Sequence, residues 1–227
     1  MKIVAVIPCL NEERFISDVV FKTLKHVDRV IVIDDGSKDS TARLARDAGA
    51  EVISHTFSQG AGAATRTGFE AALRAGASII VTLDGDGQHN PDEIPLLLSP
   101  IIQQQADLVI GSRFLTKAKV SLYRKFGIDA ITFLYNAGHI VKINDAQSGF
   151  RAYSRKAVER IKITDTGFGF SIETLVQVRK YGLTICEVPI TCIYHDSGST
   201  QHPVIHGLSI VWAVIWLRLI YEVFQRK

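Results

Sequence analysis

Ser78-Ile79-Ile80-Val81-Thr82-Leu83-Asp84-Gly85-Asp86-Gly87-Gln88 is the stretch on which the fold turns. Its first six residues are a β-branched, apolar run of the kind that forms a strand buried on both faces of a parallel sheet. Asp84 and Asp86 follow at once, so two carboxylates stand one residue apart at the carboxyl end of that strand. In an open α/β sheet this is the end at which ligands bind. Two hard oxygen donors there suit Mg²⁺ or Mn²⁺, which keep coordination positions open for substrate phosphates. The same letters also describe an acidic turn in which glycine supplies unusual backbone angles, so the flanking sequence has to decide.

Upstream, residues 3–7 are a continuous apolar strand closed by Pro8, and residues 12–24 have helical spacing. Residues 29–33 are a second strand, ending at Asp34-Asp35-Gly36-Ser37. Asp39 or Ser40 caps the next helix, and Gly49 ends it. Residues 51–54 are a short strand, and residues 60–76 a helix of small residues opened by a Gly-rich turn. Downstream, Pro91 opens a helix, and residues 107–110 are a strand ending at Gly111-Ser112-Arg113. Strands and helices alternating at this spacing predict a parallel sheet with helices on both faces. Beyond Arg113 the alternation lapses. Residues 125–139 read as a helix, 147–151 and 166–170 as turns, 171–181 as a helix, and 184–193 as a strand that Pro189 places near a sheet edge.

The chain has 227 residues, 47% of them hydrophobic and 22% charged, enough for a sizeable core and too apolar for disorder. A net charge of +3 is too small to imply a nucleic-acid partner. Five basic residues and no acid lie between Arg113 and Lys125, a cluster suited to phosphates beside a carboxylate site. The three cysteines, Cys9, Cys186 and Cys192, have neither metal spacing nor a disulfide pattern, so free thiols in a reducing cytosol are expected. Met1-Lys2 leads directly into a strand, which is not the pattern of a signal peptide.

The last twenty or so residues change character. Residues 208–217 are nearly all apolar, and a helix over 207–217 would be about 16 Å long, half the thickness of a hydrocarbon core. Trp212 and Trp216 share one helical face, and Arg218, Arg226 and Lys227 lie near the end. An amphipathic, membrane-interfacial helix over 203–227 is expected, with 1–202 as the catalytic domain. A helix closing the core, or a dimer contact, is the other reading.

Several motifs now stand in a fixed order: Val6-Ile7-Pro8-Cys9-Leu10-Asn11-Glu12, Asp34-Asp35-Gly36-Ser37, Gly60-Ala61-Gly62 with Arg66 and Gly68, Asp84-Gly85-Asp86-Gly87-Gln88-His89, Gly111-Ser112-Arg113, Ser148-Gly149-Phe150-Arg151 and Glu187-Val188-Pro189-Ile190. In this order they resemble glycosyltransferase family 2, and within it the dolichyl-phosphate mannose synthase-like branch. The resemblance implies a glycosyltransferase-A fold, a nucleotide-sugar donor of the GDP-mannose or UDP-glucose type, inversion at the anomeric carbon, and a polyprenyl-phosphate acceptor at the cytoplasmic face of a membrane. It matches Pro8, Leu10 and Glu12 to the loop that holds the nucleotide, and Ile33 and Asp35 to residues that hold base and ribose. Leu10 stands where an aromatic is frequent. The resemblance matches Asp84, Gly85 and Asp86 to the diphosphate–metal motif, Gln88 to a further Mg²⁺ or Mn²⁺ ligand, and Arg113 to a phosphate-contacting arginine. His195 and Gln201 stand where some relatives carry an arginine and a lysine, which leaves the hexose open. The oligomeric state is open as well.

The chemistry assigns roles. A nucleoside diphosphate leaves well when its developing charge is neutralised, here by a cation on Asp86, with Asp84 and Gln88 helping, and by Arg113. A phosphate acceptor is already ionised and needs orientation and charge screening, which Arg124 and Lys125 would supply; Arg151 is either a further such group or a structural salt bridge. A hydroxyl acceptor, as in cell-envelope glycan synthesis, needs a base, with His89 and Glu173 as candidates. His89 otherwise sits behind the metal site or in solvent, and Glu173 is otherwise an ordinary first-turn acid. His202 and His206 lack a third metal ligand. A nucleotidyltransferase would carry a basic Gly-rich loop after the first strand, where this chain has Asn11-Glu12-Glu13-Arg14. A non-catalytic sugar-nucleotide-binding module would not need Asp84, Asp86 and Arg113 together.

Overall fold

The computed structural model describes residues 1–115 and 142–193 and, between them, 129, 132, 133 and 135–137. Four parallel strands come first in the chain: β1 (Ile3–Cys9), β2 (Arg29–Asp34), β3 (Glu51–Ser54) and β4 (Ile79–Thr82). Between them lie α1 (Ile16–Thr23), α2 (Thr41–Asp47) and α3 (Ala61–Arg74). A 3-10 turn (Pro91–Glu93), capped by the Asn90 side chain, leads into α4 (Ile94–Ile102) and β5 (Leu108–Ser112). After the partly described stretch come β6 (Arg151–Ser154), α5 (Arg155–Arg160), α6 (Phe170–Lys180) and β7 (Ile185–Pro189).

The sheet order is β3-β2-β1-β4-β6-β5-β7. β1, β2, β4 and β5 are largely apolar runs because both faces are covered, and alternation along each strand sends side chains to two cores. Val4, Val6, Ile31, Ile33 and Ile80 meet α3, α5 and α6 on one face. Ala5, Ile7, Val30, Val32 and Val81 meet α1, α2 and α4 on the other. The approach of α3 to β1 is so close that a Cβ on Gly68 would lie 2.2 Å from a Val6 methyl carbon.

The sheet is mostly parallel, as expected, with one antiparallel strand. Two local expectations need correction. The stretch read as a turn at 147–151 leads into β6, which is antiparallel to both β4 and β5 and separates them. Four residues reading Arg-Ala-Tyr-Ser carry no apolar run, and the strand forms because Arg151 is satisfied inside the protein. Its guanidinium donates to the carbonyls of Ser148, Ser171 and Ala146 at 2.8–3.0 Å, so it is neither a salt bridge nor a ligand group. The strand expected over 184–193 is also shorter. β7 is an edge strand ending at Pro189, as the proline implied. The chain then crosses to the Asp84–His89 loop, where Thr191 donates to Glu93, Cys192 bridges to His89, and the Ile193 N–H donates to the Gln88 carbonyl at 2.9 Å.

Of the helix expected over 125–139, Asp129, Thr132, Phe133, Tyr135 and Asn136 are described and helical. Arg124, Lys125, His195, Gln201 and the expected helix over 203–227 lie outside the described residues. Among the described residues no helix is long and apolar enough to cross a membrane. The three cysteines are free thiols, Cys9 buried, and burial pushes the Cys9 thiol far above its ordinary range.

Candidate active site

The ends of β1 and β4 bring Pro8 and Asp84 to one pocket, with Glu12 within electrostatic reach of Asp84 and Asp86. Asp84 and Asp86 follow β4 immediately, and the β4 register against β1 sets Thr82 beside Val6. Thr82 donates its hydroxyl to the Gly149 carbonyl at 2.8 Å, which draws the Ser148-Gly149-Phe150 segment over the strand end. Gly149 is required there: a Cβ would stand 2.8 and 2.9 Å from the two Asp84 carboxylate oxygens. Gly85 packs on the other side, with room for no Cβ against Cys9. The small pocket beside Asp84 is lined by Pro8, Thr65, Thr82, Ser148 and Gly149 among others.

The carboxylates crowd one another. Half of the Asp84 side chain is accessible, yet protein surrounds it on most sides. That desolvation raises its carboxyl, against the pull of Arg113 and Arg151. Asp86 is raised by burial and by Asp84. Glu12 is pushed up to about 7 by burial and then by Asp86, Asp84 and Asp39. Converging acids that hold one another's protons form a site lacking positive charge. Gln88 binds Asp86 through its backbone N–H at 2.9 Å and its amide nitrogen at 2.6 Å, which fixes the Asp86 rotamer. Among the described residues no three His, Cys, Asp or Glu side chains gather closely enough to enclose an ion by themselves. One or two carboxylates with positions left for phosphate oxygens is the arrangement in which Mg²⁺ is bound, and the donor set here fits it.

His89 is buried rather than in solvent. It stacks on Phe150 with ring centroids 5.2 Å apart, and its Nδ1 accepts the Asp84 backbone N–H at 3.3 Å. Burial lowers its pKa to about 4, so the ring is neutral and packs beneath the Asp84–Gln88 loop. Glu173, the other candidate base, is consumed structurally. Its carboxylate, buried in the first turn of α6, accepts the Thr164 and Asp165 N–H groups and the Thr164 hydroxyl. The segment it holds caps α3: the Thr166 carbonyl accepts from Gly62 N–H at 2.9 Å.

The residues expected to hold a nucleotide divide by exposure. Leu10 is exposed, and Pro8 and Glu12 are partly buried at the end of β1. Ile33 is wholly buried in the core under the crevice. Asp35 is turned toward its own chain. Both oxygens accept hydrogen bonds, from His55, the Ser58 hydroxyl, and the Gln59 and Gly60 N–H groups. Burial alone would raise its carboxyl, but these bonds hold it below the usual carboxylate range. Asp35 thereby shapes the turn that opens α3.

Arg113, at the end of β5, forms a bidentate pair with Asp145 at 2.7 and 2.8 Å. Asp145 is wholly buried, and the sequence reading did not single it out. Its only signal was an acid three residues before Ser148-Gly149-Phe150-Arg151. Glu187 opens the Glu187-Val188-Pro189-Ile190 motif. It accepts the Asn144 and Asp145 N–H groups at 2.8–2.9 Å.

This sheet, with its paired carboxylates at the end of β4, has the glycosyltransferase-A architecture. Glucosyl-3-phosphoglycerate synthase from Mycobacterium tuberculosis, solved with Mn²⁺, UDP-glucose and phosphoglyceric acid, superposes with a TM-score of 0.77 over 94% of this chain and 78% of that one, at 21% identity. The chain belongs to glycosyl transferase family 2, whose family profile matches residues 4–162. It is 32% identical to the UDP-N-acetylglucosamine–dolichyl-phosphate N-acetylglucosaminyltransferase of Methanococcus voltae, over 94% of this chain and 95% of that protein. It is 31% identical to the polyprenol monophosphomannose synthase of Mycolicibacterium smegmatis, over 86% of this chain and 79% of that one.

Proposed function

We propose that this glycosyltransferase moves a hexose or N-acetylhexosamine from a nucleotide sugar to a polyprenyl phosphate at the cytoplasmic face of a membrane. The bond from the anomeric carbon to the diphosphate breaks, a bond from that carbon to an acceptor phosphate oxygen forms on the opposite face, and the nucleoside diphosphate leaves. The observation that carries this reading is the fate of the two candidate bases. Glu173 is spent on the 164–165 turn, and His89 is buried, its Nδ1 taken by the Asp84 N–H and its basicity lowered by burial. Neither is placed to take a proton from a hydroxyl, whereas an acceptor phosphate arrives ionised. The full-length likeness to enzymes named for dolichyl and polyprenol phosphates supports the same acceptor class.

Asp86, Asp84 and Gln88 would hold Mg²⁺ or Mn²⁺, which neutralises charge on the departing diphosphate. Pro8, Leu10 and Glu12 would border the nucleotide, with Ile33 supporting it from below and Asp35 acting through the 58–60 turn. Arg113 would face the diphosphate with a charge-assisted hydrogen bond. Arg124, in the basic run, would meet the acceptor phosphate. Residues 203–227 would hold the domain at the lipid surface.

The test is incubation of the full chain and membranes with a panel of labelled sugar nucleotides, followed by organic extraction. Label in an acid-labile, lipid-soluble product is expected from one donor. Label that appears only in water-soluble glycan would replace this acceptor.

A further inference from the structure

We infer that Asp145 and Glu187 are positioning residues that act through Arg113 as one relay. The inference rests on the reading of the site as one that binds and releases a nucleoside diphosphate. Arg113 directly follows β5, which runs in the same direction as β4, so it leaves the sheet at the same end as Asp84 and Asp86. An arginine side chain is long and rich in rotamers, so fixing it in advance is a large part of making it useful. Asp145 fixes it from three directions. Oδ2 accepts from Nε at 2.7 Å and from the Arg113 backbone N–H at 3.2 Å, and Oδ1 accepts from Nη2 at 2.8 Å.

Asp145 itself lies on an irregular segment, which Glu187 holds to the sheet. The Glu187 carboxylate accepts the backbone N–H groups of Asn144 and Asp145 and the Asn144 side-chain amide, at 2.7–2.9 Å. β7 pairs with β5 in the register Ile110↔Glu187. The strand beside the one that carries Arg113 therefore carries the acid that fixes the segment that fixes Arg113. The relay accounts for an acid before Ser148-Gly149-Phe150-Arg151 and for one at the head of Glu187-Val188-Pro189-Ile190, neither of which reaches the crevice through its own oxygens.

A role in folding alone would produce the same bonds, and a double-mutant cycle separates the two. The affinities of the full chain for UDP and GDP with Mn²⁺ are measured for wild type, Asp145→Asn, Arg113→Ala and the double variant, with kcat/KM alongside. Asp145→Asn is expected to weaken the bound nucleotide on the order of 10-fold or more, and Glu187→Gln to weaken it less. In the Arg113→Ala background, Asp145→Asn should change affinity by less than about twofold. If it costs the same factor there as in wild type, or nothing in either, the relay is wrong. Should Asp145→Asn not fold, Glu187→Gln runs the same cycle. A wild-type protein that binds neither nucleotide overturns the functional reading and this inference together. Binding by wild type with an additive cycle overturns the inference alone.

Discussion

Gly149 shows how one residue sets the position of another. Its α-carbon faces the Asp84 carboxylate, and a methyl group would stand within 2.9 Å of both oxygens. The neighbour that must yield is the end of a side chain, so Gly149→Ala should fold with a small stability loss, under about 1 kcal/mol. Asp84, however, would be turned from its place. Activity should fall on the order of 100-fold, the scale of a misplaced group, while the thermal midpoint barely moves. A variant with full turnover would show that the Asp84 rotamer does not matter. The glycine was legible in the sequence as part of a motif, but the reason for it was not, because the two residues are 65 positions apart (149 − 84) and meet only through β6.

Among the elements, α6 carries the clearest reversal of a sequence expectation. An acid in the first turn of a helix beside a Gly-Phe-Gly-Phe turn reads as a base or as a dipole partner. Glu173 is neither. It holds the 164–165 backbone, and through Thr166 that segment caps α3, where a Cβ on Gly62 would lie 2.0 Å from the Asp165 carbonyl. Glu173→Gln keeps the shape but loses charge-assisted bonds, so the protein should lose about 1–3 kcal/mol of stability. Residual folded enzyme should turn over within a few-fold of wild type. Urea denaturation with steady-state rates on the same preparation would check this, and a stable but inactive variant would restore the base.

At the scale of the molecule, the sheet gathers acids that a cation would relieve. The Glu12 carboxyl is raised from 4.5 to about 7, and Asp84 and Asp86 are raised as well. A raised acid means that the folded, metal-free protein holds protons that the unfolded chain has released. Its contribution to stability is therefore lost as pH rises from about 4.5 to about 7. A cation must displace those protons, so it binds better as pH rises through 7. Saturating Mn²⁺ should raise the melting temperature by about 5 °C or more at pH 8, far less at pH 5.5, and not at all in Asp86→Ala. Equal shifts at both pH values, or a shift retained in Asp86→Ala, would remove the cation from this site.

The sequence by itself determined the nucleotide half: the strands of β1 to β5, the edge placement of β7, and the two carboxylates after β4. These follow from local pattern, since a strand buried on both faces must be apolar throughout, and its end is read from the residue at which that run stops. Only the tertiary structure decided β6, the neutral His89, the structural Glu173 and the Asp145–Arg113 pair. Each depends on what a polar side chain meets across the fold. A buried polar group is tolerated only where partners surround it, and partners here lie tens of residues away: Ser171 for Arg151, Glu187 for the Asp145 segment, Phe150 for the His89 ring. Residue type announces that such a group needs a partner, and the fold alone chooses which.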